Sequence, residues 1–224
     1  AISDSVLLVL SGDYWRNHSI NADASIIKLQ PGVIGAWAND YLAPFQKKIG
    51  PDPASINAAK IGGIAANNAS GMCCGTAQNS YNTLASMRVV LADGAVLDTA
   101  DSDSIAAFRE SHADLLSGLE RLAKATREDS ALSERIRHKY RLKNTTGYSL
   151  NALIDFVEPI EILQHLMIGS EGTLGFISEI GYRTVADHPC KSTALILFPD
   201  VEIACKAVAI LKQTDVTAVE LINR

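Results

Sequence analysis

The sequence predicts an α+β fold in which an antiparallel sheet is flanked by helices. Three observations carry this reading. Short β-branched or leucine-rich runs at 6–10 and 26–29 are bounded by glycine and proline, two further apolar runs are joined by Asp93-Gly94, and the charged stretch 104–138 carries leucine and isoleucine at helical spacing.

In chain order, 6–10 and 26–29 read as buried strands, closed by Gly12-Asp13 and Pro31-Gly32, with a polar, irregular span at 14–24 between them. Beyond Pro31-Gly32, the residues Ile34, Trp37, Ala38, Tyr41 and Leu42 share one helical face, and that helix is expected to stop near Pro44. Gly50-Pro51-Asp52-Pro53 is stiff and extended, because each proline fixes its own φ and biases its predecessor away from the helical region. Runs at 87–91 and 95–97 flank Asp93-Gly94, a pair suited to the two positive φ angles of a type I′ hairpin turn. Residues 104–138 should form two amphipathic helices divided near 127–130. A short helix at 159–167 opens on a proline, 169–175 breaks all periodicity, and 176–185 alternates as a strand. Strand 193–198, helix 201–211 and strand 217–222 then read as a β-α-β unit opening a second domain.

Composition narrows the function. Of 224 residues 47% are hydrophobic, enough to build a core and exclude disorder. A net charge of -5 with no run of Lys and Arg argues against a nucleic-acid partner. No apolar stretch approaches the roughly 20 residues that span a bilayer, so no transmembrane segment is expected. The first residues lack the order of a secretory leader. Cys73, Cys74, Cys190 and Cys205 lie outside zinc and iron-sulfur spacings and read as reduced structural thiols in a cytoplasmic protein. The histidines His18, His112, His138, His165 and His188 show no paired spacing on a helix face, so no metal site is expected.

Two segments carry chemistry. Residues 61–71, Ile-Gly-Gly-Ile-Ala-Ala-Asn-Asn-Ala-Ser-Gly, let a main chain approach a large flat ligand, or else form a tightly packed small-residue helix or turn. Residues 168–177 place Gly169, Gly172 and Gly175 three apart, so the chain can turn sharply and present main-chain donors while Leu174 and Ile177 anchor it. Neither is a GxGxxG fingerprint or a P-loop.

Taken in order, Pro51-Asp52-Pro53, the Gly62-Gly63 pair followed by Asn67-Asn68-Ala69-Ser70-Gly71, the Asp93-Gly94 hairpin and Gly-Ser-Glu-Gly-Thr-Leu-Gly at 169–175 resemble the FAD-binding domain of the vanillyl-alcohol oxidase superfamily. Within it the likeness is to the FAD-linked dehydrogenases of D-lactate, glycolate and D-2-hydroxyglutarate. Ile64 departs from an Asn common in the family, and Met72-Cys73-Cys74 from a Leu-Arg and aromatic-Gly pattern. Both departures are similar to large bacterial members that carry an additional iron-sulfur domain.

The resemblance implies a second FAD-binding subdomain at 1–187 and the start of a cap domain at 188–224, with Ala1-Ile2-Ser3-Asp4 following a pyrophosphate loop that the chain lacks. Such a piece is expected to bind FAD weakly or not at all by itself. The cofactor implied is FAD, with an iron-sulfur cluster outside these residues. Pro53, Ser55, Gly62, Gly63, Asn67, Asn68, Ala69, Ser70, Glu171, Gly172, Gly175 and Ile177 match segments that line the flavin or adenine-ribose moieties. Lys143 and Tyr148, in Arg-Leu-Lys-Asn-Thr-Thr-Gly-Tyr at 141–148, could hold a substrate carboxylate, against the alternative of an ordinary surface loop. The implied reaction is hydride transfer from a D-2-hydroxy acid to flavin, with electrons leaving to an acceptor. No catalytic base falls within the chain, and the location is cytoplasmic or peripheral at the inner membrane. Two alternatives stay open: a non-catalytic nucleotide-binding module, and a non-redox flavin enzyme of the alkylglycerone-phosphate synthase type.

Overall fold

The computed structural model describes residues 7–222. A sheet of six antiparallel strands runs through it in the order β1 (His18–Ile20), β2 (Ile26–Leu29), β6 (Phe176–Ala186), β4 (Leu84–Val90), β5 (Val96–Asp98), and β3 (Lys47–Ile49) pairs with the far end of β6. The α+β class and the antiparallel sheet flanked by helices agree with the sequence reading.

β6 is the spine. Ile180 pairs with Leu29 on one side and Met87 on the other, and Tyr182 with Ile27 and Leu84. All six of these residues are buried. The Tyr182 hydroxyl is satisfied by Ser80 Oγ at 2.9 Å, and its burial pushes the phenol well above the usual tyrosine range. At Gly181 a Cβ would lie 2.5 Å from Ser86 Oγ, so a side chain there would force the serine hydroxyl to turn away.

The helices follow the sequence where a start or stop signal is written. α1 (Gly35–Leu42) ends ahead of Pro44, with Gln46 in the left-handed region at φ 55°. α2 (Ile61–Asn67) is the small-residue helix, and Asn68 stops it at φ 50°. A single turn, α3 (Ser80–Thr83), leads into β4. Asp101 caps α4 (Ser102–Ser111), Asp129 caps α6 (Ser130–Lys139), and Glu158 with Pro159 opens α8 (Pro159–Met167). α5 (Ala113–Glu128), α7 (Ala152–Asp155) and α9 (Val201–Leu211) complete the set.

Several expectations are corrected. The stretch 104–138 forms three helices, because His112 breaks the run where its Nε2 pairs with Asp93 at 2.9 Å and its ring stacks on Phe108. The β4–β5 hairpin exists, but only Gly94 has positive φ, 85°. Gly94 N–H donates to Leu91 O, so the connection is a type I turn closed by a glycine bulge and not type I′. Residues 7–10 pair with no strand and Leu7, Leu8 and Val9 are exposed, while Val6 lies outside the described residues. Of the β-α-β unit only α9 forms. Residues 193–198 and 217–222 make no strand and α9 buries none of its residues, because nothing described here covers its apolar side. The span 14–24, read as irregular, contains β1. Of the four free thiols only Cys74 is buried, accepting from Gly71 N–H at 3.1 Å. Cys73, Cys190 and Cys205 are exposed and play no packing role.

Among the described residues, no helix is long and apolar enough to cross a membrane.

Candidate functional site

α2 ends and β6 begins at the same place. The bend that closes α2 and the glycine turn between α8 and β6 are joined main chain to main chain. Gly169 N–H donates to Ala65 O at 3.2 Å and Glu171 N–H to Ala66 O at 2.9 Å. Asn67 adds a side-chain link by donating to Glu171 Oε1. Both carbonyls belong to the last turn of the helix, where intrahelical partners run out.

This junction is built from unusual backbone. Gly169, Glu171 and Gly172 have φ of 84°, 53° and 76°, and Asn68 has 50°. A left-handed glutamate costs on the order of 1 kcal/mol. Glu171 holds that conformation at a position where its N–H and carboxylate both face the end of α2.

The glycines divide by what surrounds them. Gly63 and Gly172 face open space, with no atom within 4 Å of where a Cβ would stand, and both are exposed. They leave bare main chain on the surface of the junction. Gly62 is pressed on Pro31, Gly175 on Val90 O, and Gly71 on the Asp52 carbonyl, which a Cβ would approach to 1.5 Å. Those three serve close packing. The Gly71 contact seats the Pro51-Asp52-Pro53 segment against the end of the small-residue run, so Pro53 is buried beside it, while Ser55 lies exposed in the following turn. Ile177 is buried in the sheet opposite Val89.

Asn68, Ala69 and Ser70 descend from the helix end into the interior. Asn68 Oδ1 accepts from Tyr81 N–H at 3.3 Å, Ala69 N–H returns to Ile64 O at 2.9 Å, and Ser70 is buried. Behind Asn68, the Tyr81 hydroxyl donates to Asp155 at 2.8 Å. Burial, with Asp155 alongside, drives that phenol far above its ordinary value. The His165 ring stacks on Phe156 with centroids 4.0 Å apart and meets Tyr81 edge-on, and burial pushes its pKa down. It is a core histidine.

Loop 141–150 lies over the same junction. Lys143 Nζ donates to Ser70 O. Thr173 Oγ1 donates to Ser170 O at 2.6 Å and therefore accepts from the Tyr148 hydroxyl at 2.9 Å, and Ser149 Oγ donates to Ile168 O at 2.7 Å. Lys143 and Tyr148 thus flank the two bends, with an ammonium and a phenol already engaged by the protein. Ser170 Oγ is buried and has no hydrogen-bond partner among the described residues. Sequence reasoning passed over this orphan, since its burial arises only from the fold. Among the described residues, no group of three or more His, Cys, Asp or Glu could hold a metal ion.

Residues 1–100 match the family described as FAD binding domain. The chain is similar over 227 residues, at 23% identity, to D-2-hydroxyglutarate dehydrogenase of Haemophilus influenzae, with 100% of this chain and 22% of the relative covered. The Escherichia coli D-2-hydroxyglutarate dehydrogenase is 26% identical over 188 residues, covering 80% of this chain and 18% of that protein. The mitochondrial D-lactate dehydrogenase [cytochrome] 1 of Saccharomyces cerevisiae is 26% identical over 203 residues, covering 88% and 25%. The chain therefore spans between 18% and 25% of the length of these curated relatives. Among solved structures, an alkyldihydroxyacetonephosphate synthase superposes with a TM-score of 0.51 at 18% identity, over 89% of this chain and 26% of that one, which is a likeness of fold.

Proposed function

We propose that this chain, whose residues 1–100 match the FAD binding domain family, is the flavin-facing part of a larger FAD-dependent dehydrogenase acting on a D-2-hydroxy acid. The observation that carries the reading is the direct main-chain joining of the α2 end to the glycine turn at Ala65, Ala66, Gly169 and Glu171, beside glycines that leave the surface bare.

The residues present suit a flavin. Gly63 and Gly172 offer side-chain-free main chain to a planar ring, and left-handed Glu171 and Gly172 turn the backbone so that a ring could rest against it. The buried orphan Ser170 Oγ adds an unmatched polar group at the same turn. When bound, FAD supplies hydride acceptance, and the protein supplies position and exclusion of water.

Gly63, Asn67, Glu171 and Gly172 form the surface of the bed in this reading, and Asn68, Ala69 and Ser70 support it from beneath. Pro53 and Ser55 border it, and Gly62, Gly175 and Ile177 hold its two halves in register. Lys143 and Tyr148 stand at the rim, where the ammonium, with N–H bonds to spare beyond Ser70 O, would orient a carboxylate and the phenol would join it only by releasing Thr173. Residues 1–187 form the FAD-binding part and 188–224 open a cap, whose packing would cover the exposed apolar side of α9. The similarity to dehydrogenases of D-2-hydroxyglutarate and D-lactate, at 23% and 26% identity, supports the class of substrate.

The test is made on the full-length protein. It should purify yellow and bleach anaerobically on addition of D-2-hydroxyglutarate or D-lactate, but not their L-enantiomers. A colourless protein that takes up no FAD would overturn the reading, and a yellow protein unbleached by any D-2-hydroxy acid would remove the substrate class.

A further inference from the structure

Loop 141–150 contains a tight reverse turn at Tyr148–Leu150. Leu150 N–H donates to Tyr148 O at 2.8 Å, across Ser149, directly after Gly147 at φ 84°. A bond spanning only two residues is a weak way to hold a turn. A second group reinforces it. The Tyr140 hydroxyl, just beyond the end of α6, donates to Tyr148 O at 2.6 Å and accepts from Leu150 N–H at 3.1 Å. One hydroxyl therefore bridges the N–H and C=O that define the turn.

What the turn presents is Ser149. Its hydroxyl donates to Ile168 O at 2.7 Å, and Ile168 immediately precedes Gly169, whose N–H reaches Ala65 O. Ser149 is 4% exposed, so this bond is shielded from water and set by geometry. Gly147 O lies 3.1 Å from where a Cβ on Gly169 would stand, so the turn and the glycine bend are in near contact. Neighbouring Tyr148 reaches Thr173 at the other end of the same bend. The succession Tyr140, Ser149, Ile168, Gly169, Ala65 connects the end of α6 to the end of α2 through short polar contacts.

We infer that Tyr140 is a positioning residue for the flavin bed: its hydroxyl sets the 148–150 turn, and through Ser149 and Tyr148 fixes both ends of the 168–173 bend against α2. The inference rests on the flavin reading given above. Tyr140 is half-buried and does not itself belong to the two joined bends. Its influence on a bound ring is through the loop.

The experiment compares full-length wild type with Tyr140→Phe, which removes the hydroxyl and keeps the ring. The control is Tyr182→Phe, which removes another bonded phenol, fully buried in the sheet and hydrogen-bonded to Ser80 and not to the loop. Tyr140→Phe is expected to raise the FAD dissociation constant at least tenfold, to change the visible circular dichroism of the remaining bound flavin, and to speed amide exchange at 148–150 and 168–173. Tyr182→Phe should lower the melting temperature by as much or more while leaving flavin affinity and dichroism at wild-type values. Equal FAD affinity and unchanged exchange at 168–173 in Tyr140→Phe would overturn the inference, as would the same flavin changes in both variants. If wild type binds no FAD, the flavin reading fails, and faster exchange at 168–173 in Tyr140→Phe would then leave the linkage standing without its ligand.

Discussion

Gly63 and Gly71 are eight positions apart in one small-residue run, yet they answer to different demands. A methyl on Gly63 would enter open space inside a helix, where alanine outperforms glycine by about 0.5–1 kcal/mol. Gly63→Ala should therefore raise the melting temperature by about 2 °C while weakening FAD binding in the full-length protein, because the added carbon stands where the ring would rest. Thermal melts and a flavin titration of one variant check both halves, and unchanged affinity would remove Gly63 from the bed. Gly71→Ala should cost about 3 kcal/mol, since the Asp52 main chain must retreat, and urea unfolding would register it as a lower midpoint at unchanged slope. In the sequence these glycines look alike. Composition shows that a close approach occurs but not which partner makes it, so Gly62 and Gly175 were grouped with Gly63 and Gly172 although neighbouring protein atoms account for the first two. The pairing of Asn67 with Glu171 was beyond reach for the same reason, as it joins residues more than a hundred positions apart.

At the scale of elements, α8 shows how burial creates a pH dependence. Its residues from Ile162 to Met167 are all buried, His165 among them. The imidazole donates from Nδ1 to Glu161 O at 2.7 Å, and burial depresses its pKa below the 6.5 of an exposed histidine. Between 6.5 and that lower folded value the unfolded chain binds more protons, so the stability owed to the neutral ring is complete above 6.5 and is lost as pH falls. His165→Gln should lower stability at neutral pH but flatten the slope as pH falls below 6.5, measured by denaturant unfolding at several pH values. An equally steep slope in the variant would assign the acid sensitivity elsewhere. Helix α8 was legible because Pro159 and Glu158 mark its start and the glycines its end. The α4–α5 break was not, since His112 interrupts the run through a partner in the β4–β5 turn. The expected strands at 6–10, of which 7–10 are described, 193–198 and 217–222 misled for a third reason: an apolar run records a need for cover, and only a neighbouring strand turns that need into a sheet.

At the scale of the whole molecule, the sheet class was readable, and the family resemblance implied that the two glycine-rich segments line one ligand. The alternation at 176–185 announced a strand, and each glycine-rich segment by itself suggested exposed main chain. What the sequence could not convey is that one strand serves as the partner of three others. β6 binds β2, β3 and β4, and its first residues follow directly on the glycine turn. The site is consequently held by the most shared element of the sheet, which makes its backbone among the last to open in native-state exchange. Amides at 177–182 should exchange only through global unfolding, more slowly than those of β1 or β5 at the two edges. Exchange at 177–182 as fast as at the edges would contradict this.

That arrangement also sets a timetable for biosynthesis. β2 and β4 leave the ribosome long before β6, and β4 waits for the nearly one hundred residues up to Ala186. At ordinary elongation rates this delay is on the order of 5–20 s. Throughout that interval two nascent hairpins carry unsatisfied edges with no mate yet synthesised, so a holding chaperone that shields strands between their birth and their pairing would matter more to the yield of this protein than to its final stability.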